Sequence, residues 1–213
     1  MRIVDLSHEL VTGMQVYPGD PAVSINEVLT VADDGVSVRS VHIGSQSGTH
    51  VDAPLHVLGD GLPLDALPLE QFLGPAHVVR ALGLAENATI PDACFEGIPP
   101  GISKVIVETG WSTHFGSPVY LRHPAPSIDA LRHLLDHGVR TIALDVLSLD
   151  LTPSPGDEGS FANHWLWSAA GGVICENLNN VASIEVDDPW LSILPIHLGA
   201  SDGAPVRAVA TWG

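Results

Sequence analysis

The stretch "GSQSGTHVDAPLHVLGDG", residues 44–61, sets Gln46, His50, Asp52 and His56 within eleven positions, with no lysine or arginine among them. Gly48 and Pro54 interrupt it, so it is no ordinary helix. Pro54 also argues against a plain strand running on past it. What remains is a decorated loop or a metal site. His50 and Asp52 lie two apart, and in extended backbone residues i and i+2 point to one side. A neutral imidazole and a carboxylate on one side are what a divalent cation needs. Gln46 comes four before His50, on that same side if the backbone is extended, and Gly48 gives the bend that lets the three converge. The sequence Asp52-Ala53-Pro54 then favours a turn that brings His56 back over the site. Singly, each of these residues is more often a solvated loop residue; together they point to a cation.

The rest of the chain bounds what such a site can serve. Its 213 residues carry a formal net charge of −17, from 8 Lys+Arg against 25 Asp+Glu. Phosphate-backbone binding needs basic residues, so nucleic acid is excluded as a partner, and an anionic membrane surface equally so. With 45% hydrophobic residues the chain can bury a sizeable core, and residues 1–213 are expected to form a single domain. Two cysteines, Cys94 and Cys175, make no disulfide framework and no CxxC pair, which fits a reducing compartment. "MRIVDLSHEL" is too short and polar for a secretory signal, and no run of about eighteen apolar residues exists to span a membrane. The expectation is a cytoplasmic protein.

Short apolar segments punctuated by Gly and Pro read as strands: "RIVDL", "AVSINEVLTV", "VSVRSVHIG", "AHVVRAL", "KVIVETG", "TIALDVLSL", "VICENL", "SILPIHL" and "VRAVATW". Three stretches read as helical. "PLDALPLEQFLG" (63–74) is short. In "PSIDALRHLLDHG" (126–138), Ser127 caps the start, Gly138 the end, and Ile128, Leu131, Leu134 and Leu135 form an apolar stripe. "FANHWLWSAAGG" (161–172) leads into the strand "VICENL". The fold class is therefore mixed α/β with a substantial β portion. The long polar loop in residues 145–163 leads into His164, which favours a functional role for it. By spacing alone, a helix ending at Gly171-Gly172 and followed by a strand can return Glu176 towards His164. The other eight histidines read as surface or core residues. His42, four before Gln46, lies roughly 13 Å along an extended strand, too far to share its ion.

"GTHVDAPLH" (48–56) closely resembles the signature of the metal-dependent cyclase/hydrolase family typified by bacterial kynurenine formamidase and isatin hydrolase, His-x-Gly-Thr-His-x-Asp-x-Pro-x-His. The resemblance continues in order through "YPGDP" (17–21), "DVLSLD" (145–150), "HWLWSAAGGVICENL" (164–178) and "DGAPVRAVA" (202–210). It implies a swivelling β/β/α fold with a mixed sheet and few helices, one or two divalent metal ions (zinc or manganese) per chain, and a homodimer or higher homo-oligomer. It implies roles residue by residue. His50 and Asp52 ligate metal, with Asp52 able to bridge two ions; His164 and Glu176 complete the site; His56 is the proton shuttle; Tyr17 lines the substrate pocket, where the formamidases place Trp. The chain departs at Gln46, where the signature has its first His. An amide oxygen is a harder donor than imidazole nitrogen, so the exchange should favour Mn²⁺ or Mg²⁺ over zinc.

The function implied is hydrolysis of a small-molecule amide, formamide or cyclic amide by metal-activated water. No serine nucleophile is required, and no G-x-S-x-G exists. Two alternatives stand beside it: a non-catalytic metal- or ligand-binding member in which Gln46 marks an altered site, and a cyclase or dehydratase of small-molecule biosynthesis.

Overall fold

A computed structural model describes residues 1–154 and 156–213. Six strands form the central sheet, in the order Gly203–Pro205, His50–Asp52, Val173–Glu176, Thr141–Leu144, Lys104–Glu108 and His77–Arg80. The last four run parallel, and His50–Asp52 pairs antiparallel with both of its neighbours. A second sheet, wholly antiparallel, orders Arg2–Asp5, Val209–Trp212, Trp190–Ser192 and Leu73–Pro75.

Strand periodicity sorts the central sheet's side chains between two cores. Val51, Val78, Ile106, Ala143 and Cys175 face the second sheet and pack with Leu191 and Ala210. Val79, Val105, Val107, Ile142, Leu144 and Ile174 face the other way, onto Leu131, Leu134 and Trp167 of two helices. The result is a layer order of sheet, sheet, helices: the β/β/α arrangement and mixed α/β class expected. Because Val51 and Cys175 fill the inter-sheet core, their neighbours His50, Asp52 and Glu176 must emerge on the helical face. That single consequence of the pleat places the site.

The helix Ile128–Asp136 forms as read. The Ser127 hydroxyl accepts from Ala130 N at 3.0 Å, and Leu131 and Leu134 are fully buried, each contributing about 1.5–3 kcal/mol of transfer free energy. The helix Ala162–Ala169 also leads into Val173–Glu176 as expected. The reading of 63–74 as a helix is overturned. Pro63 and Pro68 cut it into two single 3₁₀ turns, Leu64–Ala66 and Leu69–Gln71, followed by the strand Leu73–Pro75. Proline lacks the N–H a continuing helix needs. "SILPIHL" is likewise corrected: the strand is Trp190–Ser192, and beyond it Pro195 makes one isolated bridge to Val206. The strands Ser24–Leu29 and Val38–His42 form a separate ribbon whose second strand is exposed throughout. His42 lies on it. Residue 155, inside the long polar loop, lies outside the described residues. Among those described, no helix is long and apolar enough to cross a membrane.

Candidate metal centre

The strand His50–Asp52 is held on both edges. Glu176 stands opposite His50 and Gly203 opposite Asp52. Cross-strand partners share a face, so two carboxylates and an imidazole converge. The entry to the strand depends on Gly48, which adopts φ +64° with Leu10 Cδ2 only 2.7 Å from where a Cβ would stand. The Gly48 carbonyl accepts from His50 Nδ1 at 2.8 Å and from Asn177 Nδ2 at 3.0 Å. Tyr120 Oη donates to Asn177 Oδ1 at 2.9 Å, and Thr49 Oγ1 to the Asn177 carbonyl at 2.6 Å. This buried network fixes the His50 tautomer and leaves Nε2 facing the carboxylates.

His164 arrives from the helix Ala162–Ala169. Asp150 accepts from the Asn163 and His164 amides at 2.9 and 3.0 Å, two orphan donors of that helix's first turn. It also accepts from His164 Nδ1 at 2.7 Å. One carboxylate thus caps the helix and orients the ring, the arrangement that supports metal-ligating histidines.

The four side chains then meet in a crossed pattern. His50 Nε2 lies 3.5 Å from Asp52 Oδ1 and 3.5 Å from Glu176 Oε2. His164 Nε2 lies 3.8 Å from Asp52 Oδ2 and 3.2 Å from Glu176 Oε1. Each carboxylate spends one oxygen on each histidine. Both oxygens of Asp52 are buried and accept no hydrogen bond. A buried carboxylate without donors is costly unless a cation compensates it. Two groups can offer ligand atoms within 4.8 Å of one another, His50/Asp52/Glu176 and Asp52/His56/His164, and Asp52 belongs to both. The donor set, imidazole nitrogen and carboxylate oxygen, suits zinc or manganese.

Burial alone would lower the His50 pKa, but Asp52 and Glu176 outweigh it and raise it to about 9. Burial opposes charge on His164 too, and Asp150, Asp52 and Glu176 again raise it well above the ordinary value. Glu176 is shifted the other way: burial would raise it, and His164 and His50 hold it well down. The metal-free site therefore carries protons that a cation must displace. Manganese binding to chelator-treated protein at pH 7 should release protons, and its affinity should climb as pH rises towards 9. Calorimetric titration in two buffers of different ionisation enthalpy checks this; a binding heat independent of the buffer would contradict it.

His56 closes the single turn Pro54–His56. Its Nδ1 lies 3.2 Å from Asp202 Oδ2. The same oxygen accepts from Gln46 Nε2 at 3.0 Å and Ser45 Oγ at 3.2 Å. Hydrogen bonding to His56 depresses the Asp202 pKa strongly; in return Asp202 raises His56 against the effect of its burial. His56 Nδ1 is thus committed to Asp202, and Nε2 is the ring nitrogen left free. Gln46, expected among the ligands, sits with its amide nitrogen on Asp202 and 3.1 Å from His56 Nδ1, while its Oε1 is buried without a partner. Gly203 makes room for it, since a Cβ there would stand 2.7 Å from Gln46 Nε2.

A pocket of about 180 Å³ opens over these groups, walled by Val16, Tyr17, Leu147 and Phe161, with Asp20 and Ser148 also on its lining. The structure thus brings together all seven residues singled out in the sequence: Tyr17, Gln46, His50, Asp52, His56, His164 and Glu176. It adds Asp150 and Asp202, which the sequence reading passed over. Both stand at the ends of segments quoted there, but their partners lie 14 and 146 residues away, and no local spacing marks such a pair.

A sequence model of the family described as Cyclase matches residues 4–151. The chain belongs to the cyclase family. The matched span takes in Gln46, His50, Asp52 and His56; His164, Glu176 and Asp202 lie beyond it and rest on the geometry. Solved structures agree on the cyclase fold. An isatin hydrolase bound to the product analogue thioisatinate superposes with a TM-score of 0.83 at 23% identity, covering 98% of this chain and 91% of that one. Isatin hydrolase A from Labrenzia aggregata gives 0.85 at 24%, covering 98% and 93%. A protein from Bacillus stearothermophilus described as a predicted metal-dependent hydrolase gives 0.77 at 22%, covering 98% and 97%.

Proposed function

We propose that the chain is a metal-dependent hydrolase of a small-molecule amide, formamide or cyclic amide. The observation that carries this reading is Asp52: buried, with neither oxygen hydrogen-bonded, and set between the nitrogens of two histidines that line a pocket. His50, Asp52, His164 and Glu176 would hold the cation, manganese or zinc, one or two per chain. A cation held there would polarise the carbonyl and acidify a water. The names of the isatin hydrolases support a cyclic amide, and the wall of Tyr17, Leu147 and Phe161 suits an aryl group.

The chain's own residues do the rest. Asp202 holds His56 by Nδ1, so His56 Nε2 takes a proton from the attacking water and hands it to the departing nitrogen. Protonation makes an amine a tolerable leaving group. Asp150 and the Gly48 carbonyl lock the His164 and His50 rings, which spares reorganisation when charge develops. Purified protein stripped by chelator and reloaded with manganese or zinc should hydrolyse isatin or simple formanilides, and the stripped protein should not. Metal uptake without turnover across a broad amide and ester panel would favour a binding protein instead; ring closure or dehydration without hydrolysis would favour a cyclase or dehydratase.

Gln46 Oε1, buried and unpartnered, fits a fifth, harder donor. Gln46→His should then raise zinc affinity over manganese by roughly tenfold, about 1.4 kcal/mol, because imidazole favours the softer ion. Titration of stripped parent and variant with each metal reads the ratio; an unchanged ratio removes Gln46 from the ligand set. The homodimer is part of the same proposal, and the ribbon with exposed Val28, Val38 and Val41 supplies an apolar surface for it. Light scattering across a concentration series tests it.

A further inference from the structure

One carboxylate in the pocket has no assigned task. The Asp20 amide donates to the Tyr17 carbonyl at 3.0 Å, and this turn brings Tyr17 and Asp20 to the same pocket wall. Every other acid around the site is engaged. Glu176 accepts from Leu149 N at 2.7 Å and faces both histidines. Asp150 holds His164. Asp202 takes three donors. Asp52 lies in both ligand groups, and Asp20 in neither. Among the described residues no group donates to the Asp20 carboxylate, and no lysine or arginine lines the pocket.

The geometry points to Asp20 as a specificity residue that receives an ammonium group on the substrate. This rests on the hydrolase reading and narrows it to amides that carry a primary amine away from the scissile bond. Burial raises the Asp20 pKa, and the neighbouring Asp52 and Glu176 carboxylates add to it, against His50 and His56, which lower it. A partly desolvated anion gains more from a cation than one in water does, and an ammonium–carboxylate hydrogen bond is stronger than a neutral one. The same charge repels substrates bearing a carboxylate, so the pocket discriminates in both directions.

Three formanilides that differ only at the para position, aminomethyl, methyl and carboxymethyl, test this on the manganese-loaded protein. The parent should favour the aminomethyl over the methyl compound by roughly tenfold in kcat/KM, about 1.4 kcal/mol, and the carboxymethyl compound should be the poorest. Asp20→Asn should bring the aminomethyl-to-methyl ratio close to one, and Asp20→Glu should keep a preference for the cation. The readout is the ratio, since the absolute rate of the variant is free to change. A ratio near one in the parent, or a ratio that survives in Asp20→Asn, overturns the inference. So does an Asp20→Asn protein that sheds its manganese, because Asp20 is then a ligand. If no formanilide is turned over, the formamide branch of the hydrolase reading fails by itself. Calorimetric binding of 4-methylbenzylammonium against 4-methylbenzyl alcohol then decides on Asp20: a preference for the cation that Asp20→Asn abolishes supports it, and equal affinities overturn it.

Discussion

Asp52→Asn should remove the bound metal and the turnover together. Asp52 lies in both groups of candidate ligands, and each of its oxygens faces a different histidine. Glu176 also faces both histidines, but among the described residues Asp52 alone lies in both groups. The amide has one oxygen to offer, no charge to balance a cation, and an NH₂ where the second oxygen was. Outer partners of a metal site already cost 10–100-fold in affinity when lost, so losing the shared carboxylate should exceed roughly a hundredfold. Metal content after dialysis, measured beside the amide-hydrolysis rate, gives the result. A melting curve of the stripped variant shows that it still folds, since the backbone of Asp52 keeps its pairing with Ile174 and Gly203 whatever the side chain. A variant that retained metal and rate would rule Asp52 out as a ligand.

The sequence showed the near half of the site because that half is local. His50 and Asp52 share a strand of three residues, and two-residue periodicity alone puts them on one face. The far half needed the sheet. Glu176 meets His50 only because Val173–Glu176 pairs with His50–Asp52 in one register, and no spacing in the chain encodes a register between segments more than a hundred residues apart. His164 and Glu176 were placed by the order helix, glycine pair, strand, which the structure reproduces. Asp150 and Asp202 were not legible: each is an acid whose partner is defined by tertiary folding. The same limit explains the misread helix at 63–74. Its apolar spacing is helical, but two prolines five residues apart leave no room for a second turn. Gln46 is the instructive intermediate case. Its position beside the site follows from local spacing, yet its amide nitrogen is claimed by Asp202, a residue at the other end of the chain.

His56→Ala should separate the proton shuttle from the ligands. Turnover should fall by roughly a hundredfold or more, the scale of a lost general acid–base group, while most of the metal stays. The loss should shrink for an activated ester, whose leaving group needs little protonation. The structure offers a competing role, since His56 shares a possible ligand group with Asp52 and His164. A carboxylate on Nδ1 suits either role, as Asp150 on His164 shows, so metal content and the pH profile distinguish the two. A shuttle held by a carboxylate has its pKa raised, as His56 does. It acts as a base only once deprotonated, so the acid limb of kcat/KM reports that pKa. Asp202→Asn withdraws the carboxylate that raises it and should move the limb to lower pH with the metal content unchanged. The deprotonated fraction then grows at low pH, while the maximal rate falls because the ring is no longer held for transfer. If His56→Ala instead strips the metal, His56 is a ligand and the shuttle must be sought elsewhere in the pocket.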